Sequence, residues 1–298
     1  MLEEVEDFAL LASQGHSASE WRREPETTLP EGIPKRKMAV LDQILDGVRS
    51  GLPVRRAHRA TLERAVRDLP PPPPFASALT RDRVALIAEV KRRSPSAGAI
   101  NEGLDPVALA TAYATGGAAA ISVLTEGPHF GGSLDDLAAV TARVAVPVLR
   151  KDFILEEIQL LEARAAGASA ALLIVRALAD TDLQRLLAFA RELRLDALVE
   201  AHDAAELERA LASGAEIVGV NARNLDDFSM DVDAAWRLVS TIPADRIAVA
   251  ESGMATRDDV VHAASFGADA VLIGGALAGH GTPEAAAAML ASVPRRGR

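Results

Sequence analysis

The strongest constraint on the fold is a pattern of eight short apolar runs, each followed by an amphipathic stretch, from Val84 onward. Intervening segments such as EEIQLLEARAAG have the periodicity of helices, and several end in Gly-Ala just before the next run. Glycine at that position is the usual signal that ends a helix. Continuous apolar strands that alternate with helices are typical of a parallel sheet covered on both faces. The runs span 84–90, 118–125, 147–153, 168–175, 196–201, 216–223, 247–252 and 269–275.

Eight strand–helix units over roughly 200–250 residues match the size of a (β/α)8 barrel. We therefore predict an α/β fold, a (β/α)8 TIM barrel with extra N-terminal helices. The alternative is an open doubly wound sheet, which usually has a G-x-G-x-x-G turn after its first strand. No such turn follows IAEV in this sequence, so the pattern favours the barrel and leaves the open sheet as the second interpretation.

Residues 1–37 differ from the rest of the chain because they are polar, contain three prolines and show no sustained period. This composition predicts a flexible N-terminal extension, and a start codon assigned too early is the other explanation. The catalytic domain is then 38–298. It begins with a helical segment over 38–68, in which a second helix covers 54–68. The prolines of 70–74 end that helix and predict a stiff connector to the barrel.

The composition argues against several classes of function. A formal net charge of −10 and an aromatic content of 3% disfavour a nucleic-acid partner. The absence of cysteine removes thiolate nucleophiles and Cys-ligated metals, and the six histidines show no paired spacing for a metal site. No apolar run reaches the roughly 18–20 residues of a membrane span, and the first residues are acidic where a secretory signal is basic. We therefore predict a cytoplasmic protein without a membrane partner or a metal.

Ionisable residues stand at the predicted carboxyl ends of several strands, where a (β/α)8 barrel has its active site. Glu89 and Lys91 are two residues apart, so both side chains point to the same face of the first strand. Solvated strand ends or structural ion pairs would explain any one of these residues alone. Burying unpaired charge is costly, so the whole set predicts a catalytic centre. Its other members are Lys151, Glu200, Asn221 with Arg223, and Glu251 with Ser252 and Gly253.

Small residues at the ends of the last two strands indicate a phosphate site. Gly253, Gly274 and Gly275 would let the backbone approach an anion closely, and barrels often bind phosphate at this place. The basic loop RRSPSAG after the first strand is a candidate for the opposite wall. Phe130 and Phe153 follow strand ends and are candidates for contact with a substrate. Ordinary turn glycines, a solvated loop and core phenylalanines are the alternatives.

Together these motifs closely resemble the indole-3-glycerol phosphate synthase family from Met38 to about residue 292. The resemblance implies a carboxy-lyase of tryptophan biosynthesis that acts without a cofactor or a metal. Its substrate is 1-(2-carboxyphenylamino)-1-deoxyribulose 5-phosphate, and the enzyme closes the pyrrole ring with loss of carbon dioxide and water. Association with other enzymes of the pathway stays open. The stretches that carry the resemblance are EVKRRSPS, SVLTEGPHFGGS, VLRKDFI, LLIV, LVEA, GVNARNL, AESG and AVLIGG.

The resemblance also implies roles for individual residues. Lys151 matches the lysine that neutralises the ketone oxygen during ring closure. Lys91, Glu89 and Glu200 match the acid and the base of the dehydration, without an assignment of each step. By the same resemblance Asn221 orients Glu89 or the sugar hydroxyls, Ser252 contacts a substrate hydroxyl, and Arg223 and Lys91 neutralise the anthranilate carboxylate. Phosphate contacts fall on Ser94, Gly253, Gly274 and Gly275, and apolar walls around the aryl ring on Pro95, Phe130, Phe153, Leu172 and Leu272.

The sequence departs from the family pattern at two places. The family often has Ser or Glu where this chain has Gly275, so one side-chain contact to the phosphate is lost. Residues 1–37 lie outside the pattern. Two other functions stay open, namely a Schiff-base aldolase with Lys151 or Lys91 as nucleophile and a ligand-binding homologue without activity. The complete set of charged residues argues against the inactive homologue.

Overall fold

The computed structural model describes residues 39–95, 98, 99, 101, 103–275, 277 and 282–297. The predicted extension over 1–37 lies outside these residues. Where the chain is described, no helix is long and apolar enough to cross a membrane.

Eight parallel strands close into a barrel, which confirms the predicted (β/α)8 fold and excludes the open doubly wound sheet. Each strand pairs with its neighbour in the chain, and the first strand closes the ring against the last through Ala85 and Ala270. Every predicted apolar run contains one of these strands. Their bounds are β1 Ala85–Val90, β2 Ala120–Leu124, β3 Val148–Lys151, β4 Ala170–Ile174, β5 Asp196–Ala201, β6 Ile217–Asn221, β7 Ile247–Glu251 and β8 Ala270–Ile273.

Among the described residues, one helix follows each strand and packs on the outside of the barrel, and three further helices precede β1. Gly167 shows why Gly-Ala pairs end these helices, because its φ is +83° and a Cβ would crowd the Thr141 side chain. The bounds are α1 Val40–Arg56, α2 Arg59–Arg67, α3 Phe75–Leu79, α4 Pro106–Thr115, α5 Leu134–Thr141, α6 Glu157–Ala165, α7 Asp180–Glu192, α8 Ala204–Ala212, α9 Val232–Val239, α10 Arg257–Ser265 and α11 Pro283–Leu290.

Alternation along the strands divides the apolar residues between two cores. Side chains such as Ile87, Leu149 and Val249 fill the inside of the barrel, and their neighbours along each strand pack against the surrounding helices. The helix α3 closes the amino end of the barrel, because the backbone N–H of Ala76 donates to Asp196, the first residue of β5. The opposite end of the barrel, at the carboxyl ends of the strands, is not covered by α3 and can hold a binding site.

The N-terminal segment is helical, but its helix boundary differs from the predicted one. The first helix continues through Pro53 to Arg56, and α2 begins only after it. Proline removes one backbone hydrogen bond within a helix. The turn after it is held from outside, because Leu52 is buried against α6 and Arg55 donates to Glu162 at 2.7 Å. Tertiary contacts therefore override the local signal.

Candidate active site

A cavity of about 400 Å³ opens at the carboxyl ends of the strands, and every residue that the sequence predicts for the site lines it. The strand ends bring these residues together from distant parts of the chain, as expected for this fold. They are Glu89, Lys91, Ser94, Pro95, Phe130, Lys151, Phe153, Leu172, Glu200, Asn221, Arg223, Ser252, Gly253, Leu272, Gly274 and Gly275.

Lys151 lies at the centre of the charged groups. Its Nζ donates to Glu200 Oε2 at 2.7 Å and lies 3.3 Å from Glu251 Oε2. Both glutamate side chains are only 1% exposed. Burial lowers the pKa of Lys151, but the charges of Glu200, Glu251 and Glu89 outweigh burial and raise it above its ordinary value. The amine is therefore an ammonium ion.

Glu251 is the buried carboxyl of the predicted charged set to which the family resemblance gave no role. Burial raises the pKa of Glu251 to about 8, since the neighbouring Glu200 opposes a second negative charge and Lys151 only partly offsets it. Within the described residues, neither carboxylate oxygen has a hydrogen-bond partner. The surroundings of Glu251 therefore favour its protonated form. The signal in the sequence is its position as the last residue of the seventh strand.

Glu200 has the opposite electrostatic state. Burial alone would raise its pKa, but Lys151 and the nearby His202 outweigh burial and lower it below the ordinary value. The centre thus combines an ammonium, a carboxyl whose ionised form is favoured and a second carboxyl whose protonated form is favoured.

Glu89 and Lys91 form an ion pair across the same face of the first strand, as their spacing predicts. Glu89 is buried and Lys91 is half-buried. Gly274 makes room for this pair, because a Cβ at that position would overlap Oε1 of Glu89. This glycine therefore has a steric role besides the phosphate contact predicted for it.

Asn221 is bonded to the backbone of the loop after β6. Its Oδ1 accepts a hydrogen bond from the backbone N–H of Arg223 at 3.0 Å, and among the described residues it makes no hydrogen bond to Glu89. The guanidinium of Arg223 donates to the carbonyl of Phe228 at 3.4 Å. Asn221 thus shapes the loop after β6, and its expected role toward Glu89 or the sugar hydroxyls stays a prediction.

The turn after β7 is compact at the expected phosphate end. Ser252 and Gly253 both have positive φ, +66° and +76°. A Cβ at Gly253 would also overlap the side chain of Val232. Ser94 is buried near this end, whereas Gly275 has open space around it.

Two phenylalanines form an aromatic wall. The rings of Phe130 and Phe153 lie 6.1 Å apart. The loop before Phe130 is fixed by the buried Glu126, which accepts backbone hydrogen bonds from His129 at 2.7 Å and from Phe130 at 3.0 Å. An apolar slot of this kind suits a flat aryl ring. Within the described ranges, no group of three His, Asp or Glu residues could hold a metal ion.

Comparison with known proteins agrees with the geometry. A family model described as indole-3-glycerol phosphate synthase matches residues 41–290. A protein of that name from Nocardioides sp. is 53% identical over 262 residues, covering 86% of this chain and 99% of the relative. Another of that name from Streptomyces griseus is 50% identical over 257 residues, covering 85% and 95%.

Solved structures of other barrels resemble the chain in fold alone. A thiamine phosphate pyrophosphorylase from Pyrococcus furiosus has a TM-score of 0.54 at 15% identity, covering 70% of this chain and 94% of that one. An N-acetylmannosamine-6-phosphate 2-epimerase from Clostridium perfringens has a TM-score of 0.53 at 16% identity, covering 66% and 89%.

Proposed function

Because the chain belongs to the indole-3-glycerol phosphate synthase family of carboxy-lyases in tryptophan biosynthesis, we propose that the cavity above the barrel closes the pyrrole ring with Lys151 as its central acid. The observation that supports this role is the ammonium of Lys151, buried between two glutamates. When the aryl carbon attacks the ketone carbon of the substrate, negative charge develops on the ketone oxygen. An ammonium ion held in place stabilises that charge and supplies the proton.

The later steps need an acid and a base. Carbon dioxide leaves from the aryl carbon, and dehydration then removes the new hydroxyl together with a proton. We assign the base to Glu200, because its carboxylate stays ionised. Lys91, paired with Glu89, is the ammonium that protonates the leaving hydroxyl.

Binding follows from the lining of the cavity. The aryl ring lies against Phe130, Phe153, Pro95, Leu172 and Leu272, and Arg223 with Lys91 faces the carboxylate before it leaves. Ser252 contacts a substrate hydroxyl. The phosphate lies at Ser94, Gly253, Gly274 and Gly275, where glycine lets backbone groups approach it. All of these residues line the same cavity.

A Schiff-base aldolase is disfavoured by the same geometry. Its nucleophilic lysine needs a lowered pKa so that the amine is neutral. The carboxylates around Lys151 raise its pKa instead. Borohydride added during turnover should therefore leave no substrate adduct on Lys151 in the mass spectrum.

The activity is tested by following indole product fluorescence from the carboxyphenylamino-deoxyribulose phosphate, with EDTA present. We expect turnover to persist in EDTA and to fall by about 10²–10⁴-fold in Lys151→Met, because one positioned acid contributes about that much. The exposed Arg49→Ala is the control and should keep full activity. If Lys151→Met lost no more than about twofold of its turnover, the loss would be far smaller than one positioned acid contributes, and the role of Lys151 would be refuted.

A further inference from the structure

A buried histidine contacts the catalytic groups from the side away from the cavity. His202 lies two residues after Glu200 and its side chain is 3% exposed. Its Nε2 lies 3.3 Å from Glu200 Oε1, and its Nδ1 lies 3.0 Å from Glu206 Oε2. The imidazole is thus placed between two buried carboxylates, and it does not line the cavity itself.

This histidine belongs to a row of groups whose charges alternate. From Lys151 the row passes through Glu200, His202 and Glu206 to Arg176, whose Nε donates to Glu206 Oε1 at 2.5 Å. Each charge therefore has opposite neighbours, which is the arrangement that makes buried charge tolerable.

Arg176 connects the row to a loop of the site. It follows β4, and its Nη1 lies 3.3 Å from Asn224 Oδ1 and 3.2 Å from Asp226 Oδ2. Both partners stand in the loop after β6, which also carries the cavity-lining Phe228. Asp203 lies 3.4 Å from the same guanidinium.

The surroundings of His202 favour its charged form. Burial lowers the pKa of an imidazole, but Glu200 from β5 and Glu206 from α8 outweigh burial and raise the pKa of His202 to about 9. The backbone N–H of His202 also donates to Glu206 at 2.8 Å, which fixes the ring toward that carboxylate. Across Glu200, the ring faces Lys151 of β3 and Glu251 of β7.

We propose that His202 is a positioning residue whose positive charge holds Glu200 as the ionised base and leaves the proton on Glu251. Two buried carboxyls so close together share one cation, Lys151, and cannot both ionise cheaply. A second cation placed beside only one of them decides which carboxyl ionises. The inference rests on the role of Glu200 proposed above.

The test is the pH profile of kcat/KM for His202→Gln relative to the unaltered enzyme. Glutamine keeps a polar side chain but carries no charge, so the proton that the native centre keeps on Glu251 should be shared with Glu200 in part of the molecules. At pH 6.5, where the native imidazole is charged, we expect the ratio of the two enzymes to be about tenfold or more. Above pH 9 the native His202 loses its own proton, so the ratio should shrink several-fold. Ionisation of the substrate phosphate cancels in the ratio.

Two matched variants accompany this measurement. Glu206→Gln leaves the imidazole in place but removes one of the carboxylates that keep it charged. The ratio of kcat/KM between the unaltered enzyme and Glu206→Gln should therefore change at a lower pH than the ratio for His202→Gln. His262→Gln makes the same substitution at a histidine of α10 whose ring centroid lies 4.5 Å from that of Trp236, and its ratio should be flat across the pH range. If His202→Gln fails to fold by circular dichroism, Glu206→Gln carries the test.

A direct readout separates positioning from a merely structural role. The imidazole ¹⁵N signals of His202 are those present in the unaltered enzyme and absent from His202→Gln. At neutral pH these signals should have the chemical shifts of the doubly protonated ring. A neutral ring at that pH, or a ratio that stays constant with pH, would overturn the inference. Absence of turnover in the unaltered enzyme would instead refute the proposed function, so the two failures are distinguishable.

Discussion

At the scale of single residues, a missing side chain makes room for the carboxyl of Glu251. Gly219 lies on β6, and a Cβ there would overlap Oε1 of Glu251 and approach Cδ1 of Leu198 to 3.2 Å. Alanine would therefore push the carboxyl out of its place beside Lys151. For Gly219→Ala we expect kcat to fall by at least about tenfold and the free energy of unfolding by about 1–3 kcal/mol, the usual cost of overpacking. Steady-state kinetics and urea unfolding measure the two effects.

The control for this change is Gly47→Ala in α1. A Cβ at Gly47 meets no atom within 4 Å, so alanine there should gain helix propensity of up to about 1 kcal/mol and leave kcat unchanged. If Gly219→Ala kept normal kcat, the position of Glu251 would not matter for turnover.

The sequence predicted which charged side chains meet at one end of the barrel, because strand parity and the barrel fold together determine where they point. Glu89 and Lys91 illustrate this, since two-residue spacing places them on one face. His202 was missed for a physical reason. Its i, i+4 relation to Glu206 is visible in the sequence, but its approach to Glu200 depends on how the chain bends after β5.

At the scale of elements, α1 docks on the barrel through a small apolar cluster. Leu52 is 4% exposed and packs with Leu62, Ile158 and Leu161 of α2 and α6. We expect Leu52→Ala to lower the free energy of unfolding by about 2–4 kcal/mol, since a buried leucine leaves a cavity. The cluster lies apart from the cavity residues, so kcat at low temperature should stay normal.

Val54 provides the matched control within the same helix, because its side chain is 69% exposed. Val54→Ala should change the free energy of unfolding by no more than about 0.5 kcal/mol. Equal urea midpoints for the two variants would show that the helix does not depend on this cluster.

The boundary between α1 and α2 shows where element prediction fails. The sequence predicts a second helix from residue 54, but the first helix continues through Pro53 because Arg55 pairs with Glu162 of α6 and Arg56 pairs with Glu156 just before α6. Those partners lie about a hundred residues further along the chain. Local propensity contains no information on such contacts. The strands of the barrel were predicted more closely, because their apolar runs are buried on both faces.

At the scale of the whole molecule, the buried charges make stability depend on pH in a defined direction. The folded-state pKa of His202 is about 9 against an ordinary 6.5, and that of Glu251 is about 8 against 4.5. In both cases the folded protein binds a proton that the unfolded chain has released. Stability from these groups is therefore complete below the ordinary pKa and is lost as pH rises through the folded-state value.

Other groups set the acid side of the same profile. The pKa values of Glu200, Glu206 and Asp152 are lowered by their cationic partners despite burial. The stability that they contribute is present above their ordinary values of 4.5 and 3.8 and is lost as pH falls below these. The two limbs together place maximum stability at mildly acidic pH.

We therefore expect the free energy of unfolding to fall by about 1–3 kcal/mol as pH rises from mildly acidic to about 9, measured by urea unfolding at each pH. His202→Gln should flatten this limb, because it removes the group that titrates between 6.5 and 9. The remaining slope belongs to Glu251, and Glu251→Gln should remove most of it. A free energy of unfolding that rises over this interval would contradict this assignment of charges. So would a free energy that falls in His202→Gln and Glu251→Gln as much as in the unaltered enzyme.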